Sequence, residues 1–404
     1  MWKFILLLAL FASAYCAQNN GKLKSENPKL LTKFAGEIYQ KSVEGRSGNV
    51  IISPASVRSV LTMALFGAAR KTRTEMIRGL KYPRNFSNDK IADTYEKLAK
   101  SVGENTDIKI ANKVYIMNNY TIKPSFQQLV TRSFKSKAES IDFKKNVEAA
   151  GIINEWIEGQ TDNMINNLIS PSLLNNDTRM VLVNTVYFKG IWQYKFEILN
   201  FRNMPYVEPF YVSETESVDI EMMKLNENLF YADFDEFDAK ALRLPYKNSS
   251  VEMLIVLPRK RTGLADLEEK LSSLNIKHLW KEMYETKVDV SIPKFKIEYE
   301  IELKEPLEKM GMKRMFSNDA EFGNMLNSNE RLHISKIIHK SLIEVDEVGS
   351  KAASSTAGMV LETRMGGDFD LEREENFYAE HPFLFFLIEK KTTQILFLGR
   401  VVKF

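Results

Sequence analysis

Apolar positions along the chain fall into two kinds of pattern, and their order predicts an α+β fold. Near the N-terminal end, Leu30, Leu31, Phe34 and Ile38 recur at helical spacing behind Pro28, a residue suited to the first turn of a helix. Asn49–Pro54 reads as a short buried strand ended by proline. Ser56 can then cap a helix through Leu65, with Val57, Val60, Leu61 and Ala64 on one face. A further helix is predicted over Asn154–Leu168. Met180–Phe188 is almost continuously apolar, the mark of a strand buried on both faces. From Ala239 onward strand patterns dominate: Ala241–Tyr246, Val251–Leu257, Lys287–Ile297, Leu332–Val345, Phe383–Ile388 and Gln394–Val402. No internal repeat, dividing linker or heptad array interrupts them. Helices in the first half and strands in the second predict one mixed domain over residues 22–404, helices packed on large sheets, rather than alternating βαβ units.

One stretch fits neither pattern. Glu347–Val360 is a run of small residues without proline between two apolar, strand-like segments. Ser350, Ala352, Ser354, Thr356, Gly358 and Val360 would share one side of a strand. The run is therefore suited to two states, an exposed loop and a buried central strand.

Composition narrows the class. The chain has 404 residues, 44% apolar and 27% charged, with 25 phenylalanines and 15 tyrosines, an ordinary globular balance with ample core. A net charge of +3 does not point to a nucleic-acid partner. Lys3, the apolar run Ile5–Ala14 and small residues after it read as a secretory signal cleaved after Cys16 or Ala17. That run is short for a membrane span, so the expected protein is secreted, extracellular and not membrane-bound. Cys16 is the one cysteine, and its removal leaves no thiol for a nucleophile, a thiolate metal site or an iron–sulfur cluster. Four sequons, at Asn85, Asn119, Asn176 and Asn248, agree with export and predict a glycoprotein.

Enzyme signatures are missing. There is no Gly-x-Ser-x-Gly elbow, phosphate-binding glycine loop, dinucleotide fingerprint or His-Glu-x-x-His. None of the four histidines, His278, His333, His339 and His381, stands in a loop with an evident carboxylate partner. His339, inside an apolar run, reads as a hydrogen-bonded core histidine. No metal or cofactor site is expected. The basic residues Arg70, Lys71, Arg73, Arg78, Lys81 and Arg84 form a candidate surface for a heparin-like glycosaminoglycan, with a solvated face as the plainer reading.

Several motifs then coincide. Asn49-Val-Ile-Ile-Ser-Pro-Ala-Ser56, Asn184-Thr-Val-Tyr-Phe-Lys-Gly-Ile-Trp192, Leu244-Pro-Tyr-Lys247, Ser291-Ile-Pro-Lys-Phe-Lys296, Leu332-His-Ile-Ser-Lys-Ile-Ile-His-Lys340, and Phe377-Tyr-Ala-Glu-His-Pro-Phe383 with Phe397-Leu-Gly-Arg400 follow in the order found in the serpin family. The chain resembles that family, and secreted arthropod serpins in style, from about Leu30 to its end. The resemblance implies three β-sheets, including a large central one, surrounded by eight or nine helices, with an exposed reactive-centre loop over about residues 348–376. It implies an inhibitor rather than an enzyme: a monomer that forms a covalent complex with a serine protease, in an immune or clotting cascade. A non-inhibitory carrier, storage protein or chaperone is the alternative.

The same resemblance assigns roles. Ser53, Ser56, Asn184 and His339 would lie where the central strands part, and Trp192 where an inserting strand enters. Glu347, Gly349, Ser350, Ala352, Ala353, Ser354 and Thr356 would form the hinge of the loop. Counting from Gly349 reaches Thr363, and Arg364 follows. Arginine is strongly favoured by the buried carboxylate of a trypsin-like pocket, so Arg364–Met365 is the expected scissile bond and Thr363–Arg364 the second choice. Asp368, Asp370, Glu372, Glu374 and Glu375 would form an acidic spacer beyond it.

Overall fold

A computed structural model of the chain describes residues 28–84, 86–102, 108–197, 199–327, 330–347 and 374–404. The expected signal peptide, Asn85 and residues 348–373, which hold most of the expected reactive-centre loop, lie outside these residues. Helix α1 (Pro28–Val43) leads through β1 (Val50–Ile52) to α2 (Pro54–Gly67), α3 (Arg70–Gly79) and α4 (Asn88–Val102). Then come β2 (Ile108–Met117), α5 (Pro124–Phe134), β3 (Ala138–Ile141), α6 (Asn146–Gln160) and β4 (Met180–Phe188). The strands β5 (Tyr206–Tyr211), β6 (Ser217–Phe234), β7 (Ala239–Pro245) and β8 (Val251–Pro258) precede two short helices, α7 (Leu264–Lys270) and α8 (Ile276–Glu282). The chain closes with β9 (Tyr284–Pro293), β10 (Phe295–Glu302), α9 (Lys304–Lys309), β11 (Lys336–Val345), β12 (Glu375–Tyr378), β13 (Phe383–Glu389) and β14 (Gln394–Val401).

The strands form a five-stranded sheet, ordered β10-β11-β4-β2-β3, and a nine-stranded sheet, ordered β1-β14-β13-β8-β7-β6-β9-β12 with β5 also on β6. The long strand β6 carries two wings of the larger sheet: its N-terminal part pairs with β5 and its C-terminal part with β7. The three expected sheets are thus the five-stranded sheet and these two wings, continuous through β6. Helices α2, α5 and α6 pack on the five-stranded sheet in one cluster of buried side chains. A second cluster fills the space between the sheets, and a third lies between the larger sheet and α1, α7 and α8.

Five sequence expectations shift. The cap of α2 is Ser53, whose hydroxyl accepts from the Ser56 amide; Ser56 lies within the first turn, behind Pro54. The helix expected over Asn154–Leu168 is α6, eight residues earlier in its start. It stops at Gln160 because Asp162, Asn163 and Asn167 take left-handed backbone conformations, which short polar side chains tolerate. Ile165 and Leu168 are buried from the following turns instead. The single strand expected over Lys287–Ile297 is two, β9 and β10, broken after Pro293, where Lys294 donates its amide to Glu221 and the chain crosses from one sheet to the other. Glu375 and Asn376, expected at the end of the loop, belong to β12 because they pair in parallel with β9. Strands β2 and β3 also lie among the helices of the first half, a mixing that the apolar pattern did not predict.

Candidate functional site

The five-stranded sheet has a parallel seam at its centre. Residues Lys336–Ile343 of β11 pair with Val181–Phe188 of β4, while β11 is antiparallel to β10 and β4 antiparallel to β2. The chain leaves β11 at Val345 and its last described residue before the loop is Glu347.

His339 and Asn184 are register partners across this seam, and both are fully buried. His339 Nε2 faces two donors, the Ser53 amide at 3.1 Å and the Ser341 hydroxyl at 2.8 Å. An amide can only donate, so Nε2 is the unprotonated nitrogen and Nδ1–H donates to Asn184 Oδ1. Asn184 Nδ2 donates to Ser56 Oγ and to Asn112 Oδ1. Ser56 Oγ also donates to Asn112 Oδ1 at 3.2 Å, and Ser53 Oγ to the Leu396 carbonyl at 2.6 Å. The network therefore ties β2, β4 and β11 to the start of α2 and to β14. Burial holds the His339 pKa down, to about 3, against the raising effect of its bond to Asn184. The ring is neutral at any ordinary pH.

The end of the seam nearest the loop is built differently. Trp192 Nε1 donates to the Asp346 carbonyl at 2.7 Å, and its ring stacks on Tyr246 at 4.3 Å. Gly190 allows this approach, since a Cβ there would lie 2.6 Å from the Tyr246 ring. Around it are ion pairs. Lys189 reaches Glu344 at 2.7 Å and Asp346 at 3.1 Å, and Lys296 reaches Glu344 at 2.7 Å. Burial works to raise the Glu344 carboxyl, but hydrogen bonds from Lys189 and Lys296 hold it below its usual value. Lys294 bridges Glu221 at 2.7 Å and Glu347 at 2.5 Å. Burial works against the Lys294 charge, and the two carboxylates raise its pKa above the ordinary one.

Of the sequence-predicted residues, Ser53, Ser56, Asn184 and His339 meet in one network, and Trp192 and Glu347 stand together at the loop end. Gly349, Ser350, Ala352, Ala353, Ser354, Thr356, Thr363, Arg364 and Met365 lie outside the described residues. Asn112, Ser341, Lys189 and Lys294 were missed as site residues. Two of them, Lys189 and Lys294, sit inside quoted motifs, and only their strand ends show what they hold. The remaining sequons, Asn119, Asn176 and Asn248, are exposed on turns. The basic set does not form one patch: Arg73 turns inward to Asn88 and the Leu65 carbonyl, and Lys81 pairs with Glu37 at 2.6 Å. Arg70, Lys71, Arg78 and Arg84 remain exposed.

Ser341, His339 and Asn184 form a chain of hydroxyl, imidazole and amide that imitates a hydrolytic triad. Asn replaces the carboxylate, and all three side chains are fully buried, so no substrate reaches them. His278 is exposed beside Glu282, and His381 is buried against the Pro382 carbonyl. Among the described residues no group of three or more His, Cys, Asp or Glu is placed to hold a metal ion, and no helix is long and apolar enough to cross a membrane.

The family model described as Serpin (serine protease inhibitor) matches residues 29–404. Serine protease inhibitor 42Dd of Drosophila melanogaster is 34% identical over 372 residues, 91% of this chain and 94% of that protein. Human Serpin B4 is 33% identical over 389 residues, 91% of this chain and 97% of that protein. The crystal structure of Serpin48 from the insect Tenebrio molitor superposes with a TM-score of 0.83 at 29% identity, covering 95% of this chain and 100% of that one.

Proposed function

From the premise that the chain belongs to the serpin family, we propose that it is a secreted inhibitor of a trypsin-like serine protease that acts as a suicide substrate. The observation that carries this reading is the parallel seam. A strand that turns back immediately after β11 must run antiparallel to it. One side of β11 is held by β10, so the other side is the place for it, between β11 and β4. Because those two strands are parallel to each other, a returning strand would be antiparallel to both.

The segment that would return is the small-residue run. Ser350 to Thr363 is fourteen residues, which at ~3.3 Å each span roughly 45 Å, about a domain. The inserted strand would replace one seam by two and add about a dozen ladder hydrogen bonds, on the order of 10 kcal/mol at ~0.5–1.5 kcal/mol each. The closed seam is then a kinetically trapped state. Side chains that turn inward must be small to enter quickly, which Ser350, Ala352, Ser354, Thr356 and Gly358 satisfy; proline would remove a donor. Gly349 supplies the turn.

The chemistry belongs to the protease. Its serine oxygen attacks the Arg364 carbonyl carbon, the bond to the Met365 nitrogen breaks, and that nitrogen leaves as a protonated amine. The ester survives if insertion outruns water and carries the protease away from its working geometry. Insertion widens the β4–β11 spacing by about 4.8 Å, which no hydrogen bond spans, so the bond between His339 and Asn184 must break. Secretion is supported by the N-terminal pattern and the exposed sequons. Incubation with trypsin should give an SDS-stable band of the summed mass and a released peptide beginning at Met365. Cleavage without a stable complex would overturn the inhibitory reading and favour a carrier, storage or chaperone role.

A further inference from the structure

Next to the stems of the loop the chain presents an apolar knob that neither the seam nor the core uses. Leu199, Phe201, Met204 and Val207 are exposed within nine residues of chain, Phe201 at 90%. Single exposed apolar residues are ordinary; four in one short stretch are not. The stretch is closed by its own polar groups. Asn200 Oδ1 accepts from the Arg202 and Met204 amides at 2.9 and 3.3 Å. The Asn200 amide donates to the Met204 carbonyl, and the Asn203 amide to the Asn200 carbonyl, both at 2.9 Å. Asn203 takes the left-handed backbone of the turn, which asparagine tolerates. The Arg202 guanidinium lies 5.1 Å from the centroid of the Phe201 ring.

The knob stands where both stems of the loop are tied. The Glu197 amide donates to the Lys224 carbonyl at 2.7 Å, and Tyr206 pairs with Met222, so the turn leaves and rejoins one short length of β6. Lys294 joins Glu221 to Glu347, on the stem that enters the loop. Asn226 Nδ2 donates to Glu374 Oε1 at 2.6 Å, on the stem that leaves it. All three attachments fall within Glu221–Asn226 of β6, ~17 Å of strand at ~3.3 Å per residue. Arg364 is ten residues before Glu374, so even a fully extended chain keeps it within ~35 Å of that stem. A domain of ~200 residues is about 40 Å across, so a protease seated on Arg364 is large enough to reach the knob.

We propose that Leu199, Phe201, Met204 and Val207 form a second contact for the protease that engages Arg364, and that the protease meets them with an apolar surface. Aromatic, methionine and arginine side chains are over-represented at protein interfaces, and a turn already closed by its own hydrogen bonds has little order left to lose on binding. The contact acts on the encounter, before the bond is cut. Arginine at the scissile bond suits any protease with an acidic pocket; the knob favours one of them by what surrounds its active site. The proposal rests on the reading of the chain as a suicide substrate cut at Arg364.

The test compares the rate of trypsin inactivation by the intact protein and by its variants, with trypsin as the probe. The double variant Phe201→Ser, Met204→Ser alters exposed positions only and should keep the wild-type melting temperature. Its second-order rate constant should fall about fivefold to tenfold. The division of product between SDS-stable complex and cleaved inhibitor should stay the same, because that ratio is set after the encounter. Phe201→Leu keeps an apolar side chain and should stay within about twofold of the wild type. An undiminished rate in the double variant, an altered division, or an equal loss in Phe201→Leu would overturn the proposal. If trypsin cuts at Arg364 without a stable complex, the inhibitory reading fails and the rate of cleavage still carries the comparison. No cut at Arg364 would overturn both.

Discussion

The two ends of the β4–β11 seam solve the same problem with opposite chemistry. The middle is held by neutral, fully buried hydrogen bonds among His339, Asn184, Ser53 and Ser56. The end beside the loop is held by partly exposed ions, Lys189, Lys294 and Lys296 with Glu344, Asp346 and Glu347. A buried polar bond has no water to replace it, so it opens only with the whole seam. An exposed ion pair exchanges with water and salt at little cost. A seam that must stay shut for long periods and then open from one end is served by this division: a firm middle, and an end that gives way readily.

The difference can be broken most severely at Asn184. Asn184→Ala removes the acceptor for His339 Nδ1–H and leaves that buried N–H unpaired. Chemical denaturation should show a loss of about 2–3 kcal/mol, and spontaneous loop insertion should quicken. A loss under about 0.5 kcal/mol would mean that the network holds nothing.

Acid should separate the two ends next. The His339 pKa is about 3 in the folded protein, below the ~6.5 of an exposed histidine. The unfolded chain therefore binds a proton that the folded one does not, between those two values. The stability this histidine contributes is complete above about pH 6.5 and falls as pH drops toward about 3, by up to about 1.4 kcal/mol per pH unit. His339→Gln should flatten that part of the pH–stability curve. An unchanged slope would place the titrating group elsewhere.

The smallest effect belongs to the ionic end. Lys294→Met leaves Glu347 without its cation, and stability should fall by about 0.5 kcal/mol or less. Raising the salt concentration should reproduce part of this loss in the wild type and none of the Asn184→Ala loss. Equal salt sensitivity in the two variants would erase the distinction between the ends.

The sequence made the strands buried on both faces legible and left strands of mixed exposure hidden. β4, β8 and β13 are buried along almost their whole length, so continuous apolar runs mark them to within a residue or so. The 18 residues of β6 alternate irregularly between exposed and buried because it serves two wings, and no simple period reveals it. His339 stood out as a polar group within an apolar run, and Asn184 came from the family resemblance. Asn112 did not, because its role comes only from lying opposite Asn184 in the register of β2 and β4. Lys294 reads as an ordinary surface lysine until the break between β9 and β10 brings it to Glu347. Ser53, not the expected Ser56, caps α2 because Pro54 takes the first helical position and starts the helix three residues earlier.

The central claim is that the seam between β4 and β11 opens to accept the segment after Glu347 as a new strand. It is tested most directly by cleaving the loop with a protease and comparing the melting temperatures of cleaved and intact protein. An added central strand on the order of 10 kcal/mol should raise the melting temperature by about 10 °C or more. Cleaved and intact forms that melt together would show that the seam stays closed, and would contradict the account.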